Sequence, residues 1–345
     1  EKSEIQRVMD ALNDPKKTVV WQMAPAVQHT LGEEFGLKPG TDVTGKIAAA
    51  MKRLRGYAYN TDFSADVTIM EEGTELIHRL QNGGVLPMLT SCCPGWIKHM
   101  EYHYPDQLAH LSSCKSPQQI FGALVKSYLP EKIGVESEDI FHVSIMPCVA
   151  KKFEMQRPEM KNALGIRDVD AVLTTRPFGL GSGGGVIFGT TGGVMEAALR
   201  TVTVLLTNGE LNQIDYTAAR GYRGVKEATV KIGDLDLKIA IVNGIGNVKP
   251  IMEDIRAGKS PYHFIEVMAC PGGCLNGGGA PLASVEQVAV RMAGMYQADC
   301  DAPIRRSHEN PDVQKLYEEF LDECGSPAAH FLLHTHYTDR SGEVR

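Results

Sequence analysis

The chain has 345 residues, 43% of them hydrophobic, which is enough to bury a large core and to build two lobes. A net charge of −7 argues against nucleic acid as the main partner, and no apolar run is long enough to span a bilayer, so no membrane insertion is expected. No basic-then-apolar leader opens the sequence, which leads us to expect a cytoplasmic protein, and Glu1 in first place suggests a processed chain or a piece of a longer one.

In chain order, TVVWQM (18–23) reads as a strand and AVQHTLGEEF (26–35) as a helix. TGKIAAAMKRL (44–54) and ADVTIMEEGTELIHRLQ (65–81) read as helices. VLPMLTS (85–91) reads as a strand, PQQIFGALVKSYL (117–129) as a helix, and FHVSIM (141–146) and DAVLTT (170–175) as strands. GGVMEAALRTV (192–202) is a helix. ATVKIGDLDLKIAIVNG (228–244) is a hairpin turning at Gly233-Asp234, and YHFIEVMA (262–269) is a strand. Beyond about residue 285 the pattern is helical, including NPDVQKLYEEFLDE. Strands alternating with helices predict an α/β fold with largely parallel sheets.

Eight cysteines occur: Cys92, Cys93, Cys114, Cys148, Cys270, Cys274, Cys300 and Cys324. In a large chain without an export signal, metal binding or thiol chemistry is a better reading than disulfides. Three predicted strands run straight into cysteine: LPMLTS into Cys92-Cys93, VSIM into Pro147-Cys148, and FIEVMA into Cys270-Pro-Gly-Gly-Cys274. The carboxyl edge of an α/β sheet is where ligands bind. TVVWQM ends in Ala24-Pro25-Ala26 without a cysteine, as an apolar wall of the same cavity would. Buried structural cysteines would fall within strands as often as at their ends and need no Pro-Gly beside them. Four thiolates suit either zinc or an iron–sulfur cluster, although the close CxxC knuckles usual for structural zinc are absent. The 35 glycines cluster at GLGSGGGVIFGTTGGV and CPGGCLNGGG, a sign of backbone packed closely against something.

TSCCPGW (90–96), MPCVAKKFE (146–154) and EVMACPGGCLNGGGAP (266–281) resemble the three signature segments of the iron-only, or [FeFe], hydrogenases. SPQQIFG (116–122), VIFGTTGGVMEAALR (186–200), SHENPDVQKLYEEF (307–320) and LLHTHYTDR (332–340) extend the resemblance over essentially the whole chain. The resemblance implies two lobes with twisted, largely parallel sheets and an active site in the cleft between them. It implies a catalytic domain over residues 1–285 and a small-subunit-like helical segment over 286–345 that wraps it. The implied cofactor, the H-cluster, is a [4Fe-4S] cubane joined through one cysteine to a two-iron unit with CO, CN⁻ and a bridging azadithiolate. The implied reaction is reversible hydrogen formation from two protons and two electrons. The implied partners are ferredoxin or a similar small electron carrier and the maturation proteins that insert the two-iron unit. MKRLRG (51–56) and Lys151-Lys152 supply a basic surface for the carrier. Two other jobs fit the resemblance: a hydrogenase-like iron–sulfur protein without the two-iron unit, acting in cluster assembly, and a slow sensory or complex-bound hydrogenase.

By motif match, Cys93, Cys148, Cys270 and Cys274 would hold the cubane, with Cys274 bridging to the two-iron unit. Cys92 would stay unligated and relay protons, continued to the surface by Glu72, Ser112, Glu75 and Arg79. Glu72, Glu75 and Arg79 share one face of a helix at spacings of three and four; by themselves such charges read as a solvated, self-paired face. Lys151 would donate to a cyanide, and Gln118 would sit near a diatomic ligand. Ala24, Pro25, Ala26, Met146, Phe188, Gly189 and Met268 would form the cavity wall, with ordinary core filling the competing reading for both methionines. Glu154 would orient nearby groups. The sequence departs from the family in Ala280, where glutamine is usual, in Ala26, where serine is common, and in a shortened stretch between Arg176 and Ser182. Cys114, Cys300 and Cys324 receive no role.

Overall fold

The computed structural model describes residues 4–162, 164–174, 187–207, 215–221 and 224–343. The stretch between Arg176 and Ser182 lies outside the described residues. The strands are β1 (Thr18–Met23), β2 (Tyr57–Asn60), β3 (Met88–Leu89), β4 (Ile140–Met146), β5 (Ala171–Thr174), β6 (Val225–Ile232), β7 (Leu235–Asn243) and β8 (Phe264–Met268). They form two four-stranded sheets. The first is wholly parallel in the order β2-β1-β4-β5. The second has the order β3-β8-β7-β6 and is parallel except for the β6–β7 hairpin. Central strands β4 and β8 are almost wholly buried, which is why their sequences are near-continuous apolar runs. Edge strand β6 is mostly exposed or half-exposed along its length and mixes charged with apolar residues.

Helices cover both faces of each sheet. On the first, Val8 and Ala11 of α1 (Ile5–Asn13) and Ile47 and Met51 of α2 (Thr44–Arg53) pack against Trp21, Val143 and Val172. On the second, α4 (Pro94–His103) and α7 (Val248–Arg256) bury Trp96, Met100 and Met252 on one face, while α6 (Gly193–Thr207) covers the other. Between the sheets runs the 22-residue α3 (Thr61–Asn82). Its Ala65, Ile69 and Leu76 join the second sheet's core, while Val67 packs with Ile120 and Leu124 of α5 (Pro117–Ser127). One helix therefore belongs to both lobes, and its polar positions lie along the seam.

The C-terminal segment crosses the same seam. Arg291 of α8 (Val285–Asp301) bonds Glu33 at 2.7 Å and the Leu275 carbonyl at 2.9 Å. Asp299 pairs with Arg200 of α6 at 2.8 Å. Farther on, Leu321 and Leu333, the latter in α9 (Pro327–Leu333), bury beside Val67, and the Tyr337 hydroxyl donates to the Ser112 carbonyl at 2.5 Å.

Two expectations shift. The helix expected over 26–35 is a short turn at Pro25–Gln28 followed by a 3₁₀ turn at Leu31–Phe35. The Thr30 hydroxyl donates to the Ala26 carbonyl at 2.8 Å, the kind of local side-chain bond that competes with a helical ladder. The strand over 85–91 contracts to Met88–Leu89, because Pro87 has no N–H to give to the ladder. Strand β2, with only four residues, was not visible in the sequence pattern.

Candidate functional site

Each sheet delivers its cysteines at the carboxyl end of a strand. β3 leads into Cys92 and Cys93, β4 into Cys148, and β8 into Cys270 and Cys274. All five line one cavity between the lobes, together with Ala24, Pro25, Ala26, Met146, Phe188 and Met268. Gln118, Lys151 and Gly189 line it as well. Every residue expected on the cavity wall is therefore brought to it. Glu72, Glu75, Ser112 and Arg79 lie outside the wall, behind Cys92.

Glycine makes this convergence possible. The Gly279 N–H donates to the Pro147 carbonyl at 2.9 Å, so the loop after β8 is stitched to the loop after β4. A Cβ on Gly277 would stand 2.4 Å from that same carbonyl oxygen. At Gly273, φ is +89° and a Cβ would meet the Gly189 carbonyl at 2.6 Å. The Cys270–Cys274 loop thus fits against its neighbours only as bare backbone.

The donor set is chemically unbalanced by itself. Burial pushes the Cys274 thiol well above the ordinary range, and its neighbours Cys148, Cys93 and Cys270 push it further. Burial, then Cys148 and Cys93, raise Cys270 to about 12. Burial and Cys93 likewise raise Cys148. Converging sulfurs that suppress one another's ionisation are the donor set a cationic metal group relieves, since coordination favours the thiolate. The wall of methionine, phenylalanine, alanine and proline side chains gives such a group a dry setting. The residues present fit a thiolate-held metal cluster.

Lys151 enters from the short helix Lys151–Glu154. Its ammonium donates to the Cys92 carbonyl at 2.9 Å and to Glu154 Oε2 at 2.8 Å. Burial pulls its pKa down, but the Glu154 carboxylate, with Cys92 and Cys148, more than offsets this and the net shift is upward. The same Glu154 oxygen accepts from the Ser116 hydroxyl at 3.0 Å and from Gln118 Nε2 at 3.3 Å. Lys151 is buried, so it forms no part of a basic surface patch, which corrects one expectation; Lys52, Arg53 and Arg55 are exposed.

Behind Cys92 lies a line of polar groups. Burial raises the Cys92 thiol, and Glu72 raises it further. Glu72 is buried and held up to about 8 by that burial and by the Glu75 charge, with Ser112 and Arg79 opposing. The Ser112 hydroxyl donates to Glu75 Oε2 at 3.0 Å. Arg79 donates to Glu75 Oε1 through Nε at 3.1 Å and reaches the Leu111 carbonyl at 2.8 Å. The line is ordered from cavity to the partly exposed Arg79, whose side chain is 13% accessible. Sequence reasoning missed Ser113, which bonds Glu75, and His334, which joins Ser113 to the neighbouring carboxylate Glu71. It also assigned nothing to Cys114, whose sulfur lies 3.9 Å from Glu75 Oε2. The run SSCK (112–115), which holds Ser113 and Cys114 next to Ser112, was the available signal.

Fold and site together define a class: a two-lobed α/β protein with a cysteine-lined cleft built to hold a metal cluster. Comparison with known proteins narrows it. The family described as "Iron only hydrogenase large subunit, C-terminal domain" matches residues 17–179 and 176–278, and "Iron hydrogenase small subunit" matches 285–340. The chain belongs to the iron-only hydrogenase family. It is 46% identical to the NADP-reducing hydrogenase subunit HndD of Solidesulfovibrio fructosivorans, over 97% of this chain and 63% of that one. The chain thus spans less than two thirds of that relative. An apo [FeFe]-hydrogenase HydA1 variant from Chlamydomonas reinhardtii superposes with a TM-score of 0.86 at 38% identity, over 98% of this chain and 99% of the other. A more distant relative is cytosolic iron-sulfur assembly component 3 of Bos taurus, 31% identical over 95% of this chain and 75% of that protein. Among the described residues, no helix is long and apolar enough to cross a membrane.

Proposed function

We propose that this chain is the catalytic part of an [FeFe]-hydrogenase, interconverting two protons and two electrons with dihydrogen. The observation that carries this reading is the meeting of Cys93, Cys148, Cys270 and Cys274 in one apolar cavity, with a fifth thiol, Cys92, facing a buried acidic line. Cys93, Cys148, Cys270 and Cys274 would hold a [4Fe-4S] cubane, with Cys274 also tethering a two-iron unit that carries CO, CN⁻ and azadithiolate. When bound, that assembly supplies the redox and hydrogen-activating chemistry.

The chain supplies the surroundings. Two of the three Lys151 ammonium hydrogens are taken by Cys92 and Glu154, leaving one to donate into the cavity. Ala26 offers a backbone amide where a serine would offer a hydroxyl. Cys92 passes protons between the cavity and Glu72. Glu72, held near neutrality by burial, both accepts and gives a proton at physiological pH. Ser112 and Glu75 continue the line to Arg79. A ferredoxin or similar small acidic carrier would deliver electrons at the exposed Lys52, Arg53 and Arg55, maturation proteins would insert the two-iron unit, and a cytoplasmic location belongs to the same reading. Residues 286–345 act as a strap on the catalytic lobes of 1–285.

Infrared spectroscopy on anaerobically matured protein tests this. Bands of metal-bound CO and CN⁻ are expected, with gas evolution from a reduced dye. Cys274→Ala loses the bands, while Cys92→Ala keeps them and loses most turnover. Iron–sulfur absorption without such bands would favour a cluster-assembly role like that named for the more distant relative, and bands with very slow turnover would favour a sensory member.

A further inference from the structure

The motif LLHTHYTDR takes no part in the relay above, yet it places His334 beside it. Ser113 Oγ lies 3.1 Å from Glu75 Oε2 and 2.7 Å from His334 Nδ1. On the far side of the ring, Nε2 lies 3.0 Å from Glu71 Oε2. Glu71 is buried and receives donors on both oxygens, the Tyr317 hydroxyl at 2.6 Å and the Gly325 N–H at 2.9 Å. A carboxylate that only accepts leaves Nε2 as a donor. Counting hydrogens then settles the rest. Ser113 has one hydroxyl hydrogen and two acceptors. If that hydrogen goes to Nδ1, Glu75 must carry one and donate to Ser113. If it goes to Glu75, Nδ1 must carry one, and the ring is an imidazolium. Both arrangements satisfy every contact without moving a heavy atom.

We propose that His334 is a proton-holding side branch of the Glu75 relay, loaded through Ser113. In loading, the Glu75 O–H bond breaks as its hydrogen passes to Ser113 Oγ. The Ser113 O–H bond breaks as that hydrogen passes to Nδ1. One proton moves, Glu75 becomes a carboxylate, the ring becomes an imidazolium, and no electron is transferred. The ring meets Glu71 directly, Glu75 through Ser113, Cys114 across a backbone bridge, and His330 of the preceding helix, tilted at 4.1 Å between ring centroids; Arg79 pairs with Glu75, and His78 acts on His330. The two carboxyl groups are nearest, one in direct contact and one through a single hydroxyl, so a proton on Nδ1 is one hydroxyl away from Glu75. A reaction that takes two protons per turnover through a one-at-a-time line gains from a second proton stored one step away. That use rests on the hydrogenase reading; the branch itself does not.

The test therefore begins with cofactor-free protein. Nitrogen NMR of ring-labelled histidine is expected to show His334 protonated on Nε2, with a second population also protonated on Nδ1. In Glu75→Gln the imidazolium-to-neutral ratio should fall about tenfold, because a nearby negative charge that favours the imidazolium is gone. Ser113→Ala, which keeps both charges, should shift the Nδ1 signal by removing its hydrogen-bond partner. An unprotonated Nε2, or a ratio unmoved by Glu75→Gln, overturns the branch whatever the turnover. In matured protein, His334→Gln should lower turnover severalfold, and added imidazole should restore it, which a purely structural role would not allow. Unchanged turnover, or loss without rescue, overturns the storage role. Absent turnover in every form, with the NMR result intact, sinks the hydrogenase reading and leaves the branch standing.

Discussion

At Glu154 a single carboxylate oxygen accepts from Lys151, Ser116 and Gln118. Among these donors the ammonium is charged and buried, so its charge depends on that carboxylate. Removing one partner of a buried ion pair costs about 3–5 kcal/mol, because the other charge is stranded. Glu154→Ala should therefore destabilise the cofactor-free protein by about 3 kcal/mol in chemical denaturation and weaken the infrared CO and CN⁻ bands after maturation. Glu154→Asp, which keeps the charge, should recover part of both; equal loss in the two variants would show that volume, not charge, matters there. Residues such as Glu154 and Cys93 were legible because each stands inside a contiguous motif. Glu71, Ser113 and His334 were not, because only the finished fold sets His334 between Ser113 and Glu71. The spacing of Glu72, Glu75 and Arg79 placed them on one helix face but could not say whether that face met solvent or a seam.

Among elements, the strand-to-loop junctions decide the site. The sheets were readable because buried parallel strands are continuous apolar runs, and the Gly233-Asp234 turn marked the hairpin. What patterning could not give was how the loop after β8 docks on the loop after β4, since contact between two backbones leaves no periodic trace. Glycine was its one signal, and the glycines differ among themselves. Gly277 has no room for a Cβ against the Pro147 carbonyl, whereas a Cβ on Gly278 would meet only Val149 Cγ2 at 3.8 Å. Gly277→Ala should cost about 1–3 kcal/mol as overpacking and lower the iron bound after reconstitution. Gly278→Ala should be nearly neutral in thermal melting and in iron content. If both behave alike, the close approach of the two loops is not what seats the cysteines.

For the whole molecule, the question is how the C-terminal segment is fastened to the lobes, and Asp66 is the sharpest handle on it. The Ser307 hydroxyl donates to Asp66 Oδ1 at 2.7 Å and Asn310 Nδ2 donates to Oδ2 at 2.8 Å, fixing residues 307–310 to the spine helix α3. Burial raises the Asp66 carboxyl to about 6, although both donors oppose the rise. The sign follows from linkage. A carboxyl whose folded pKa exceeds its unfolded value binds more protons when folded, so its stabilising contribution is full below about pH 4. That contribution is lost as pH rises through about 6. A rise of that size corresponds to roughly 3 kcal/mol at most, less whatever relaxation allows. Asp66→Asn keeps an acceptor for Asn310 and can donate to the Ser307 oxygen, while removing the titration. Chemical denaturation of cofactor-free protein should show the parent losing stability relative to Asp66→Asn between pH 4 and 7, with the two converging at the acid end. If the difference is flat across that range, the carboxyl does not titrate between folded and unfolded states as described. If Asp66→Asn instead frees the segment to proteolysis at residues 302–310, the ionised carboxylate itself is what holds the strap.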